Sequence, residues 1–176
     1  TKQMFDMLKE QARIDALTGL KNRAALDDAL SGAISAYQRL GQPMSLLMLD
    51  LDHFKRVNDA YGHPLGDVVL ARTTRAIQSM LRADDIVGRF GGEEFVVLLP
   101  GADLQQAIGA AERCRAAIEA MEIPEVPDLS VTASVGVAGF PEHGDGLDEL
   151  LRRSDRAMYS AKARGRNRVE SAGPTR

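Results

Sequence analysis

Asp50 and Asp52 close an almost wholly apolar run, Met44-Ser-Leu-Leu-Met-Leu-Asp-Leu51. In a strand, residues two apart share a face. Carboxylates at the end of a buried strand are costly unless something compensates them, and a cation does so. A second acidic pair, Glu93 and Glu94, follows Gly91-Gly92. If their strand pairs with the first, hard oxygen donors gather at neighbouring strand ends. That donor set suits Mg²⁺, with a nucleotide supplying the remaining oxygens. At this level a blander reading stays open, because acids also cap helices and solvate turns.

The two glycines make a turn, and they also let a ribose or phosphate approach the backbone. The peptide N–H groups of His53, Phe54 and Lys55 open a helix, a favourable place for an anion, and Lys55 adds positive charge. Arg82 and Asp85 form an R-x-x-D pair just before the glycines. Read alone, the pair is a surface ion pair at a helix end. His53, His63 and His143 have no metal-binding spacing, and His63 reads as structural.

The elements that must position these residues follow from periodicity. Residues 1–14 read as a helix with apolar Met4, Met7, Leu8 and Ile14. It begins without an initiator Met, as the remnant of a helical stalk would. Asn22 caps a helix over 22–40, which Gly41 and Pro43 end. Residues 44–51 form a strand buried on both faces. A short helix spans 54–60. The next, over 64–82, carries a stripe of Leu65, Val68, Val69, Ala76, Ile77 and Met80. Strands over 85–89 and 94–99 make a hairpin with Phe90-Gly-Gly-Glu93 at its tip. A periodic helix follows over 103–121, then a strand over 129–138, a helix over 147–164 and an edge strand over 167–170. These elements define an α/β (α+β) sandwich, a largely antiparallel central sheet flanked by helices.

The 176 residues include 22 Lys+Arg and 25 Asp+Glu, a net charge of −3. That balance argues against partnership with polymeric nucleic acid. A single cysteine excludes an internal disulfide and a zinc–thiolate cluster, and Cys114 reads as a buried apolar side chain. Neither a membrane span nor a signal peptide is expected.

Five segments together resemble the GGDEF-domain diguanylate cyclases. They are Asp15-Ala-Leu-Thr-Gly-Leu-Lys-Asn-Arg23, Asp50-Leu-Asp-His-Phe-Lys-Arg-Val-Asn-Asp59, Tyr61-Gly-His-Pro-Leu-Gly-Asp67, Arg89-Phe-Gly-Gly-Glu-Glu-Phe95 and Ala161-Lys-Ala-Arg-Gly-Arg-Asn-Arg168. The signature loop is the GGEEF variant. The resemblance implies a nucleotidyl-cyclase, palm-like domain over 15–170, after a stalk over 1–14 and before a tail over 171–176. It implies condensation of two GTP into 3′,5′-cyclic diguanylate and two pyrophosphates across a homodimer.

By the same resemblance, Asp50, the Leu51 carbonyl and Glu93 hold two Mg²⁺, with Mn²⁺ as a substitute. Glu93 or Glu94 accepts the proton, and Lys55 stabilises developing charge. Asn58 and Asp67 read guanine, while the helix start at His53 and Phe54 receives phosphate. Lys162 and Arg166 reach the triphosphate. Arg82 and Asp85, with Arg113 from a second protomer, form an inhibitory product site. An upstream sensor is implied, with this domain in the cytoplasm and the whole protein membrane-anchored in some arrangements. The competing readings are an inactive domain that binds GTP or cyclic diguanylate for regulation, and a dimerisation module that binds no nucleotide.

Overall fold

Strand β1 (Met44–Leu51) is buried at every position, so its sequence does not alternate. It lies at the centre of a five-stranded sheet in a computed structural model that describes residues 1–174. The other strands are β2 (Ile86–Arg89), β3 (Glu94–Pro100), β4 (Ala133–Phe140) and β5 (Arg168–Ser171), in the order β2-β3-β1-β4-β5. Antiparallel pairing joins β2 to β3, β3 to β1 and β1 to β4, and β5 joins β4 in parallel. The sheet is therefore mixed, with the parallel β4–β5 pairing at one edge.

The two faces of β1 feed two cores. Leu47, Leu49 and Leu51 pack with α3 (Phe54–Tyr61), α4 (His63–Gln78) and α5 (Leu104–Ala120). Met44, Leu46 and Met48 pack with α2 (Arg23–Leu40) and α6 (Leu147–Ala163). Cys114 is fully buried, and its burial pushes the thiol up to about 11, so it behaves as the apolar side chain expected. At Gly136 on β4 a Cβ would sit 2.0 Å from the Ser154 carbonyl oxygen. Only glycine lets α6 settle that close to the sheet.

Several boundaries follow the local signals. Asn22 Oδ1 accepts from Ala25 N–H, and Gly41 closes α2 at φ 65°. Asp103 and Gln106 form a capping box at the start of α5. Helix α1 (Lys2–Gln11) exposes Met4, Phe5, Met7 and Leu8.

Three boundaries differ from the sequence reading by more than two residues. Helix α1 stops at Gln11 rather than 14, and Ile14 instead bridges back to Lys21. Helix α4 stops at Gln78 rather than 82. Ser79 Oγ donates to the Ala76 carbonyl and Asp85 accepts the Arg82 N–H at 2.7 Å, so side chains take over the backbone groups a longer helix would use. Strand β4 begins at Ala133, not 129, because Ala133 already faces Leu51, the last residue of β1. The Thr132 carbonyl accepts from Asp52 N–H instead. Residues 175 and 176 of the expected tail lie outside the described residues. No helix among the described residues is long and apolar enough to cross a membrane.

Candidate active site

Asp50 sits directly across from Glu94 on β3, at the end where β1 leaves the sheet. It is 4% exposed, and Lys162 Nζ from α6 donates to its Oδ2 at 2.9 Å. Burial pushes the Asp50 carboxyl above the usual range. Lys162 opposes this, while Glu93 and Asp52 add to it. Burial likewise raises Glu94, helped by Asp50, Asp155 and Glu93 and again opposed by Lys162. Crowded carboxylates of this kind demand positive charge.

Asp52 has a different role. Its carboxylate accepts from Thr132 Oγ1 and Ser134 Oγ, each at 2.7 Å, and from the Asn167 N–H at 3.0 Å. Those bonds tie β1 to β4 and to the turn after α6. The blander reading holds for this acid, which is satisfied within the fold.

Beyond Asp50 an open cleft of about 360 Å³ lies between the helices and the hairpin. Lys55, Asn58, His63 and Asp67 wall it from α3 and α4, and Gly92 and Glu93 from the hairpin. Phe54 and Leu70 give it an apolar base. No side chain caps α3 at His53; the Arg56 N–H donates to the His53 carbonyl, and the N–H groups before it are left for an anion. Asn58 Oδ1 is buried without a hydrogen-bond partner, a state worth about 1–3 kcal/mol until a donor meets it.

The hairpin tip is held from outside the sheet. Arg89 donates to the Gly91 and Gly92 carbonyls and pairs with Asp15 Oδ1 at 3.1 Å. Asp15 also accepts from the Thr18 N–H and hydroxyl. Burial alone would raise its carboxyl, but the Thr18 bonds and Arg89 outweigh it and leave it lowered. The Leu51 N–H donates to the Glu93 carbonyl at 3.2 Å, pinning the loop to the end of β1.

The structure thus gathers Phe54, Lys55, Asn58, Asp67 and Glu93 around one cleft, with Asp50, Leu51, Glu94 and Lys162 beside it. It does not bring in every expected residue. The His53 side chain is exposed, with its backbone at φ 57°, and Arg166 is exposed in the turn after α6 at φ 62°; neither lines the cleft. Arg89 and Asp15 hold the hairpin across 74 residues of sequence, a task that no local signal marks, and His63, expected to be structural, lines the cleft. Arg82, Asp85 and Arg113 of the same chain line a common crevice between the end of α4 and α5, so Arg113 faces the pair within one chain rather than from a second protomer as expected. Asp85 spends a carboxylate oxygen on the Arg82 backbone. No Arg82–Asp85 side-chain ion pair forms among the described residues.

The donor set fits a hard divalent cation. It is all oxygen, from Asp50, Glu93 and the Leu51 carbonyl, and an ammonium already neutralises Asp50. Among the described residues no three His, Cys, Asp or Glu side chains form a ready metal cage. A divalent cation held here would need further oxygens from a bound ligand to complete its coordination.

Comparison with known proteins gives the class. The family described as diguanylate cyclase, GGDEF domain, matches residues 12–168. The diguanylate cyclase DgcP of Pseudomonas aeruginosa is 43% identical over 165 residues, covering 93% of this chain and 24% of that protein. DgcM of Escherichia coli K12 is 41% identical over 171 residues, 97% of this chain and 41% of that protein. The chain therefore spans less than half the length of these two relatives. The coiled coil and GGDEF domain of DgcB from Caulobacter crescentus, solved with c-di-GMP, superposes with a TM-score of 0.89 at 29% identity, covering 97% of this chain and 91% of that one. The chain belongs to the GGDEF-domain diguanylate cyclase family.

Proposed function

We propose that this chain condenses two GTP into 3′,5′-cyclic diguanylate, one GTP held by each chain of a homodimer. The observation that carries the reading is the cleft itself. A buried acceptor without a partner, Asn58 Oδ1, shares it with Asp67, Lys55 and Glu93, and Asp50 lies alongside. The Asp67 carboxylate suits guanine N1–H and N2–H₂, and the Asn58 amide suits the remaining edge. Adenine has no such donor pair. The cyclase names of the relatives support the same conclusion.

The 3′-oxygen of one GTP forms a bond to the α-phosphorus of the other. The bond from that phosphorus to the bridging oxygen breaks, and pyrophosphate leaves. The same exchange in reverse roles closes the ring. The proton passes to the Glu93–Glu94 pair. Burial and the neighbouring carboxylates raise Glu94, which fits it to accept the proton, and Glu93 faces the cleft as a metal ligand. Asp50, the Leu51 carbonyl and Glu93 would hold two Mg²⁺, or Mn²⁺ in their place. When bound, such ions neutralise phosphate charge and acidify the attacking hydroxyl. Lys55 and the open start of α3 receive the phosphates. Lys162 supplies positive charge from α6. Positioning and charge neutralisation suffice, and no covalent intermediate is needed.

The exposed Met4, Met7 and Leu8 of α1 support a second copy as the dimer partner, with an upstream sensor setting the spacing. The crevice of Arg82, Asp85 and Arg113 is proposed as the inhibitory site for the product. The domain works where GTP is found, in the cytoplasm. The test is chromatography of nucleotides after incubation with GTP and Mg²⁺. Cyclic diguanylate should form with the wild-type chain and not with Glu93→Ala. Equal product from both would remove Glu93 from the site.

A further inference from the structure

Gly66 lies in the first turn of α4 and is buried there, with no positive φ to require a glycine. Its backbone is ordinary helix, where alanine is favoured over glycine by about 0.5–1 kcal/mol. The other helical glycines differ from it. Around Gly32 a Cβ would meet nothing within 4 Å, and at Gly109 only an arginine tip at 3.5 Å. At Gly66 a Cβ would lie 2.0 Å from Asn58 Oδ1, 3.1 Å from Asn58 Cγ and 3.2 Å from Phe54 Cζ. The space a side chain would fill is already taken by the Asn58 amide.

We propose that Gly66 is a specificity-determining positioning residue, a notch in α4 that seats the Asn58 amide for guanine. The inference rests on the guanine-reading role given to Asn58 above. It explains why Asn58 Oδ1 is buried without a partner: it is pressed against the bare Cα of Gly66, with Phe54 beside it. Helices α3 and α4 are joined at Gly62, whose N–H donates to the Asn58 carbonyl. The backbone therefore fixes where Asn58 emerges, and the notch fixes where its side chain ends. A methyl group at 66 would collide with the movable end of a side chain rather than with backbone. The fold can absorb it by turning the amide away. Recognition cannot, because an amide turned aside no longer meets the base.

The test pairs binding with stability in four chains: wild type, Gly66→Ala, Asn58→Ala and the double variant. The probe is GDP, a guanine nucleotide that cannot be condensed, titrated calorimetrically with Mg²⁺. Loss of one such hydrogen bond predicts a Kd about tenfold weaker in Gly66→Ala. Its melting temperature should stay at or above that of wild type. KM for GTP should rise with kcat held within about twofold, the mark of lost uniform binding. Adding Gly66→Ala to Asn58→Ala should change Kd by less than about twofold, because nothing is left to displace.

If Asn58→Ala weakens GDP while Gly66→Ala leaves its Kd unchanged, the notch has no role and the proposal is overturned. It is equally overturned if Gly66→Ala lowers the melting temperature as much with Ala at 58 as with Asn, since the glycine then serves packing alone. If Asn58→Ala itself leaves GDP affinity untouched, the guanine-reading role of Asn58 fails, and the notch fails with it.

Discussion

Lys162 on α6 and Asp50 on β1 meet at 2.9 Å across 112 residues of sequence. The carboxylate is nearly sealed from water and the lysine side chain is 28% exposed. Removing one partner of such a pair strands the other. Lys162→Ala should lower unfolding free energy by about 2–3 kcal/mol in urea titration. Asp50→Asn in the same chain should restore most of it. If the double variant is as unstable as the single one, the pair is not what holds the β1 end.

Asp52 makes three hydrogen bonds that tie β1 to β4 and to the turn after α6. Asp52→Ala should lower stability by about 2–4 kcal/mol. Because its oxygens are already committed, Mg²⁺ dependence of turnover should shift far less than in Asp50→Ala. Comparable shifts in the two variants would put Asp52 among the metal ligands.

The Asp15–Arg89 contact positions the signature hairpin. Arg89→Ala should cut kcat/KM at least tenfold while leaving the melting temperature within a few degrees. Arg89→Lys should not rescue it, since a single ammonium cannot reach Asp15 and two glycine carbonyls together. Full activity in Arg89→Lys would show that charge alone suffices.

His143 predicts a pH effect. It is buried, its Nδ1 accepts from the Gly139 N–H, and its pKa is lowered by burial first and by Arg153, with Glu142 opposing. The unfolded chain therefore takes up this proton at a higher pH than the folded chain does. Its contribution is fully present above about pH 6.5 and is lost as pH falls from there toward the lowered folded value, by at most about 1.4 kcal/mol per unit. His143→Gln should flatten the slope of melting temperature between pH 6.5 and 5. An unchanged slope would assign it to other groups.

Much of this was legible in the sequence because the signals are local. The uniform apolarity of 44–51 marks a strand buried on both faces. Asn22 and Gly41 mark the ends of α2, and the acids and glycines of the hairpin mark the site. What escaped depends on contacts between residues far apart in the chain. Strand spacing alone does not separate Asp50 from Asp52, because the bonds that satisfy Asp52 come from residues 80, 82 and 115 positions away. Arg89 finds Asp15 across 74 residues. The early end of α4 depends on Ser79 and Asp85 competing for backbone groups, which periodicity over 64–82 does not register. Gly66 looks like one more glycine until a Cβ is placed on it.

The most direct test of the central claim is the initial rate of cyclic diguanylate formation from GTP and Mg²⁺ across a range of protein concentrations. Two half-sites that must meet predict a rate rising faster than linearly with protein, and no product at any concentration from Glu93→Ala. A chain that binds GTP yet makes no cyclic diguanylate, even when fused to a dimeric coiled coil and stripped of bound product, would contradict the account and identify a nucleotide-binding regulator.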